Sequence, residues 1–182
     1  LMRVFGLFAK RPLPGQVKTR LAADLGPVNA ATLYEAFLHD LLDRFRDAGD
    51  RRIIGYTPDH PDTQAYFAGL PADLVPKTES AHIHPRKPTG DIPSVFAGDL
   101  SDMEPGGLAY DLWPQPAGPL DLRIEAFFDQ ALSLGPPHTV RAVLIGSDSP
   151  TLPRDYVEQA FLALENRDVV LGPATDGGYY LI

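Results

Sequence analysis

The sequence predicts an α/β fold, a mostly parallel sheet with helices on both faces, and three observations predict it. Apolar strand-like runs alternate with amphipathic helical stretches along most of the chain. Two of the strands, Val4–Ala9 and Val140–Ile145, are strongly apolar and end abruptly in polar, turn-rich segments. In open α/β sheets such carboxyl ends are where ligands bind. The third observation is scale. With 182 residues, 44% of them hydrophobic and 22% charged, the chain has the composition and length of one globular domain spanning 1–182.

The elements follow in order. Val4-Phe5-Gly6-Leu7-Phe8-Ala9 reads as the first strand and breaks into a Pro/Gly loop carrying Lys10, Arg11, Lys18 and Arg20. Residues Ala31 to Ala48 form a predicted helix. Leu33, Phe37, Leu38, Leu41, Leu42 and Phe45 share one face, and Gly49 is the stop. Arg52–Tyr56 is a short strand, and Asp62–Leu70 a short helix. Residues 71 to 119 then hold nine prolines and lose periodicity, which predicts a long surface excursion with short strands at Leu74-Val75 and Leu112-Trp113. Such an excursion is equally a lid over the site or an insertion. Regular structure resumes with a helix over Leu120–Leu134, facing inward through Ile124, Phe127, Phe128, Ala131 and Leu132. After the Val140–Ile145 strand, Asp155–Asn166 is helical with Val157, Ala160, Phe161 and Leu164 on one side. Asp168–Leu171 and Tyr179–Ile182 are the last two strands.

Charge and composition exclude several functions. A net charge of −8 argues against nucleic acid as a partner. No apolar run approaches the roughly 20 residues of a membrane span. The absence of cysteine removes disulfides, thiol chemistry and Cys-ligated metals, and fits a cytoplasmic protein. No Gly-x-Ser-x-Gly elbow supports a hydrolase. His82 and His84 lack a third nearby ligand, and His39 sits on a helix.

Three places can carry chemistry, and each has a plainer alternative. In the first loop, Lys18 and Arg20 could neutralise a diphosphate while Gly15 lets backbone approach it. The same residues also make an ordinary turn with solvated charges. A Walker A loop is excluded, because Val17 stands where glycine must precede the Lys-Thr pair. In Ile145-Gly146-Ser147-Asp148-Ser149-Pro150, the strand delivers Asp148 as a ligand for Mg²⁺ or Mn²⁺, or as a turn-capping residue. In the segment from Gly172 to Tyr180, Asp176-Gly177-Gly178 is either a hairpin turn or a functional carboxylate. As a functional group Asp176 would ligate metal or contact the transferred group, with the tandem glycines leaving room for a ligand.

Taken together these pieces resemble the DUF2064 group of bacterial GT-A-like glycosyltransferases, also called selenodomain-associated transferases. The matching residues are Phe8-Ala9-Lys10-x-Pro12-x-Pro14-Gly15-x-Val17-Lys18-Thr19-Arg20-Leu21, Gly146 to Pro153, and Asp168 to Ile182 with its Asp176-Gly177-Gly178-Tyr179-Tyr180 core. Trp113-Pro114-Gln115 with Gly118, Leu120 and Arg123 adds a weaker match. The resemblance implies a Rossmann-type sandwich of the nucleotide-diphospho-sugar transferase kind. It implies that Lys10, Gly15, Lys18, Thr19 and Arg20 bind nucleotide phosphates and that Asp148 holds Mg²⁺ or Mn²⁺. Asp176 would be catalytic, near the sugar or acceptor, with Ser147, Gly177 and Gly178 touching donor or acceptor. The implied function is sugar transfer from a nucleotide sugar to a small-molecule acceptor. The alternative is nucleotidyl transfer from an NTP, as in the related 2-phospho-lactate guanylyltransferases, and a third is a catalytically silent nucleotide-binding protein. Relative to the family pattern, a C-terminal part beyond Ile182 is missing.

Overall fold

The computed structural model describes residues 1–70 and 110–182. The strand expected at Leu74-Val75, the pair His82 and His84, and most of the predicted excursion lie outside the described residues.

The chain opens with strand β1 (Met2–Ala9), the loop 10–18, and helices α1 (Thr19–Leu25) and α2 (Pro27–Arg44). Strand β2 (Arg51–Tyr56) and helix α3 (Thr63–Ala68) follow. After residue 110 come β3 (Asp111–Pro114), α4 (Leu120–Leu132), β4 (Val140–Gly146), α5 (Arg154–Ala163), β5 (Gly172–Pro173) and β6 (Tyr179–Leu181). They form one six-stranded sheet in the order β3-β2-β1-β4-β6-β5. The first four strands in that order are mutually parallel, whereas β6 runs antiparallel to both β4 and β5.

Side chains alternate across the sheet with the period of two that a strand imposes. Phe5, Leu7 and Ala9 of β1 join Val143 and Ile145 of β4 against α2, α3 and α5, through Leu38, Leu41, Leu42, Phe67, Val157, Ala160 and Phe161. Val4 of β1 and Ala142 and Leu144 of β4 face the other way, onto Phe127 and Ala131 of α4. Two opposed apolar layers therefore clamp the central strands, and helices cover both faces as predicted. Gly6 marks the tightest packing: a Cβ there would lie 2.3 Å from the Phe127 ring.

Several predicted boundaries shift. Helix α2 begins at Pro27, because proline at the first helical position has no amide to leave unpaired. It ends at Arg44 and not at Ala48. Leu132 was expected inward and is about half exposed. Asp168–Leu171 is not a strand. Strand β6 is only three residues long, and its antiparallel ladder reaches Gly172 and Pro173 alone. Among the described residues no helix is long and apolar enough to cross a membrane.

Candidate functional site

The order of the strands decides where the site lies. From β1 the chain moves outward through β2 and β3, then returns to place β4 on the other flank of β1. The strand order reverses between β1 and β4, and a crevice opens there at their carboxyl ends. A cavity of about 400 Å³ occupies this crevice. The residues just past all four parallel strands line it: Lys10, Thr57, Gln115 and the Ser147-Asp148 pair. Lys18 enters from the loop, Arg123 from α4, and Tyr179 to Ile182 form a wall.

Local sequence explains how the loop reaches the crevice. Leu13-Pro14-Gly15-Gln16 is a turn closed by the Gln16 N–H on the Leu13 carbonyl at 3.0 Å. Proline in its second place and Gly15 at φ +78° in its third are what a type II turn demands. A Cβ on Gly15 would meet nothing within 4 Å, so among the described residues it is the turn's backbone conformation that favours glycine here. Val17 then plugs the loop onto helix α2, buried with Ala31 and Tyr34. Lys18 follows in the left-handed region (φ 48°, ψ 44°), unusual for a residue with a side chain, and there it begins helix α1.

That conformation delivers the Lys18 ammonium to the end of β4. Its Nζ lies 2.6 Å from Asp148 Oδ1 and 5.6 Å from the centre of the Tyr34 ring. The Asp148 side chain is 84% exposed at the crevice mouth, whereas Lys18 is 19% exposed. Tyr34 is the hidden organiser. Its hydroxyl accepts from the Lys10 backbone N–H at 3.0 Å and lies 2.8 Å from Ser147 Oγ. The Tyr34 hydroxyl thus joins the Lys10 backbone to the Ser147 hydroxyl in one network. Burial raises the Tyr34 pKa above its ordinary 10.0, so the phenol stays neutral.

The opposite wall is also anchored. Gln115 is buried and its Nε2 donates to the Gly55 carbonyl at 2.5 Å. Its Oε1 accepts from Arg123 Nη1 at 3.4 Å, while Arg123 Nε donates to the Gly118 carbonyl at 2.8 Å. Both bonds hold the guanidinium on the cavity side of α4.

Of the residues singled out from sequence, the fold brings Lys10, Lys18, Ser147 and Asp148 to one cavity. Thr19 and Arg20 are exposed on α1, and neither they nor Gly15 line it. Arg11 turns away to His60 and Asp62 and lies over the Tyr66 ring. Asp176, Gly177 and Gly178 form an exposed turn in which Asp176 Oδ1 accepts the Gly178 N–H at 3.0 Å. These three residues do not line the cavity either. Tyr34 escaped the sequence reading, because a tyrosine on an amphipathic helix looks like any other core residue. Gln115 and Arg123 carried a signal, the Trp-Pro-Gln segment with its following arginine, but not a role.

The second half of the chain, residues 95–182, matches the model of DUF2064, a family described as an uncharacterized protein conserved in bacteria. The match supports the expected resemblance to that family. The matched segment contains β3, β4 with Ser147 and Asp148, and the Asp176-Gly177-Gly178 turn. Over 98% of its length the chain also superposes on a crystal structure from Desulfovibrio desulfuricans G20, with a TM-score of 0.73 and 28% identity. That protein is proposed to be a nucleotide-diphospho-sugar transferase. The present chain has its fold and spans 61% of its length. No curated protein matches the sequence significantly. The matched segment thus includes the β4 side of the crevice, and the β1 loop opposite lies outside it.

Proposed function

We propose that the chain binds a nucleotide diphosphate in the β1–β4 crevice and transfers sugar from a nucleotide-sugar donor to a small-molecule acceptor. The observation that carries this reading is the meeting of Lys10, Lys18, Ser147 and Asp148 in one cavity at the point where the strand order reverses. The Desulfovibrio protein, with its proposed nucleotide-diphospho-sugar activity, supports it.

Asp148 suits a hard divalent cation. Among the described residues no three acidic or histidine side chains converge, so the protein alone offers no cage. Mg²⁺ and Mn²⁺ need none when one carboxylate, waters and substrate phosphates complete the shell. Held by Asp148, such an ion would neutralise charge on the leaving diphosphate. Lys18 would move from Asp148 to the phosphates, and Lys10 would add a second positive charge at the crevice floor. Ser147, held at the cavity by Tyr34, would hydrogen-bond to a phosphate or sugar oxygen. In transfer, an acceptor oxygen bonds to the anomeric carbon as the bond from that carbon to the diphosphate oxygen breaks. Asp176, three residues before the Tyr179 wall of the cavity and outside its lining, is the proposed base, a role that requires its turn to reach over the acceptor to take the proton.

A thermal-shift series tests the reading, using UDP-, GDP- and ADP-sugars and the NTPs with and without Mn²⁺ or Mg²⁺. A ligand at 100 times its dissociation constant adds about 2.7 kcal/mol of stability. A metal-dependent rise with one nucleotide sugar, followed by release of free nucleoside diphosphate on turnover, is the expected result. Pyrophosphate released from an NTP would replace the proposal with nucleotidyl transfer. A nucleotide-induced shift without turnover would identify a silent binding protein, and no shift with any ligand would remove the site assignment.

A further inference from the structure

The charged side chains that line the crevice suit an anion better than a lone metal ion. Lys10, Lys18 and Arg123 are three cations against the single carboxylate of Asp148, in a protein whose net charge is −8. A free divalent cation approaching this surface meets like charge, whereas a polyanion is drawn in. The three cations also differ in what already holds them. Arg123 is bonded to the Gly118 carbonyl and to Gln115. Lys18 is held on Asp148, with its Nζ 2.6 Å from Oδ1. Lys10 is exposed at the cavity and pairs with no carboxylate among the described residues. Asp148, in turn, has Lys18 as its one ion-pair partner among the described residues.

We propose that Lys18 stands in for the metal ion. Its ammonium keeps the Asp148 carboxylate occupied until a nucleotide diphosphate draws it away, so a divalent cation enters with or after the nucleotide and not before. The inference rests on the nucleotide-and-metal reading above and adds the order in which the two bind. Geometry suits Lys18 for the exchange. Its side chain is 19% exposed, with Nζ 5.6 Å from the centre of the Tyr34 ring, so the stem is packed while the head meets an exposed carboxylate. The backbone, at φ 48° and ψ 44°, fixes where that stem leaves the start of α1. An ammonium is a compact point charge with rotatable donors, so it passes between carboxylate and phosphate oxygens without demanding one donor geometry. An entering anion engages the unpaired Lys10 and then takes Lys18. Asp148 is left as a bare carboxylate beside phosphate oxygens, the mixed set of oxygen ligands that Mg²⁺ or Mn²⁺ accepts. Each ligand then tightens the binding of the other by the same factor.

Titration of the 182-residue protein with Mn²⁺, followed through the electron paramagnetic resonance signal of free Mn²⁺, tests this without turnover. In the absence of nucleotide, Lys18→Met should bind Mn²⁺ about three- to fivefold more tightly than the unsubstituted protein, the scale of one partly screened ion pair. Lys18→Gln serves the same purpose should Lys18→Met fail to fold. Lys10→Met removes a charge from the same cavity but no partner from Asp148, and should tighten Mn²⁺ binding less. With UDP, GDP or ADP added, Mn²⁺ affinity should rise more in the unsubstituted protein than in either Lys18 variant, which has no lysine to displace. Equal Mn²⁺ affinity with and without Lys18, or an equal gain from Lys10→Met, overturns the inference. Asp148→Asn separates its failure from that of the functional reading. Mn²⁺ binding that requires Asp148 but ignores Lys18 overturns the order of binding alone. Mn²⁺ binding that ignores Asp148 removes the metal site and this inference together.

Discussion

The Lys18 ammonium sits 2.6 Å from Asp148 Oδ1, joining the loop after β1 to the end of β4 across 130 residues of sequence. The pair spans the crevice mouth, where the proposed diphosphate and cation would meet. With Asp148 84% exposed, the attraction is screened by water and contributes little to folding. Asp148→Asn should therefore leave the melting temperature nearly unchanged while abolishing the metal dependence of ligand-induced shifts. A collapse of the fold would instead assign Asp148 to turn capping.

Lys18→Ala removes a charged donor from the proposed phosphates. Nucleotide affinity should fall by about 1.5–3 kcal/mol, the scale of a charge-assisted hydrogen bond. Arg20→Ala should have a much smaller effect, because Arg20 is exposed on α1 outside the cavity. Calorimetric titration of both variants checks this, and equal losses would mean that α1 moves onto the ligand.

Tyr34→Phe keeps the ring beneath Lys18 but deletes the hydroxyl shared by the Lys10 amide and Ser147. Stability should drop by about 1–3 kcal/mol, since the part-buried Lys10 N–H and the buried Ser147 hydroxyl both lose their partner. Ser147→Ala and the double variant should show non-additive losses in urea unfolding, as expected for groups in one network. Additive losses would show that the two residues act independently.

Tyr110 gives a pH prediction. Fully buried, with its hydroxyl donating to the Leu42 carbonyl at 2.9 Å, it has a pKa pushed well above the ordinary 10.0 by desolvation. A raised folded-state pKa means that its stabilisation is complete below the unfolded value and is lost as pH climbs from there toward the folded value. Urea midpoints should fall above about pH 10, where an unfolded phenol ionises. Tyr110→Phe should flatten that decline, and an identical slope in the variant would exclude Tyr110 as its source.

Gly6→Ala tests the packing beneath the site. The new methyl would press on the Phe127 ring at 2.3 Å and on Leu144 at 2.9 Å, costing about 1–3 kcal/mol. Phe127→Leu in the same protein should recover part of the loss. No recovery would place the strain in the backbone of β1.

The sequence by itself determined the alternation of strands and helices, the two apolar strands at the sheet's centre, and the residues Lys10, Lys18, Ser147 and Asp148 at their ends. These were legible because strand burial writes a contiguous apolar run and because turn chemistry at a strand's end is local. The excursion expected over residues 71–119 rested on lost periodicity, and most of it lies outside the described residues. Tertiary structure alone decided that Arg11 turns to Asp62, that Gly15 sits in a turn closed by Gln16 and Leu13, and that Asp176 does not line the cavity. It also decided that Tyr34 ties the two halves of the crevice together. Where a side chain points depends on what packs beside it, and those neighbours lie up to 130 residues away in the chain. The unpaired 168–171 carries the same lesson from the other direction: strand propensity is local, but a ladder needs a partner.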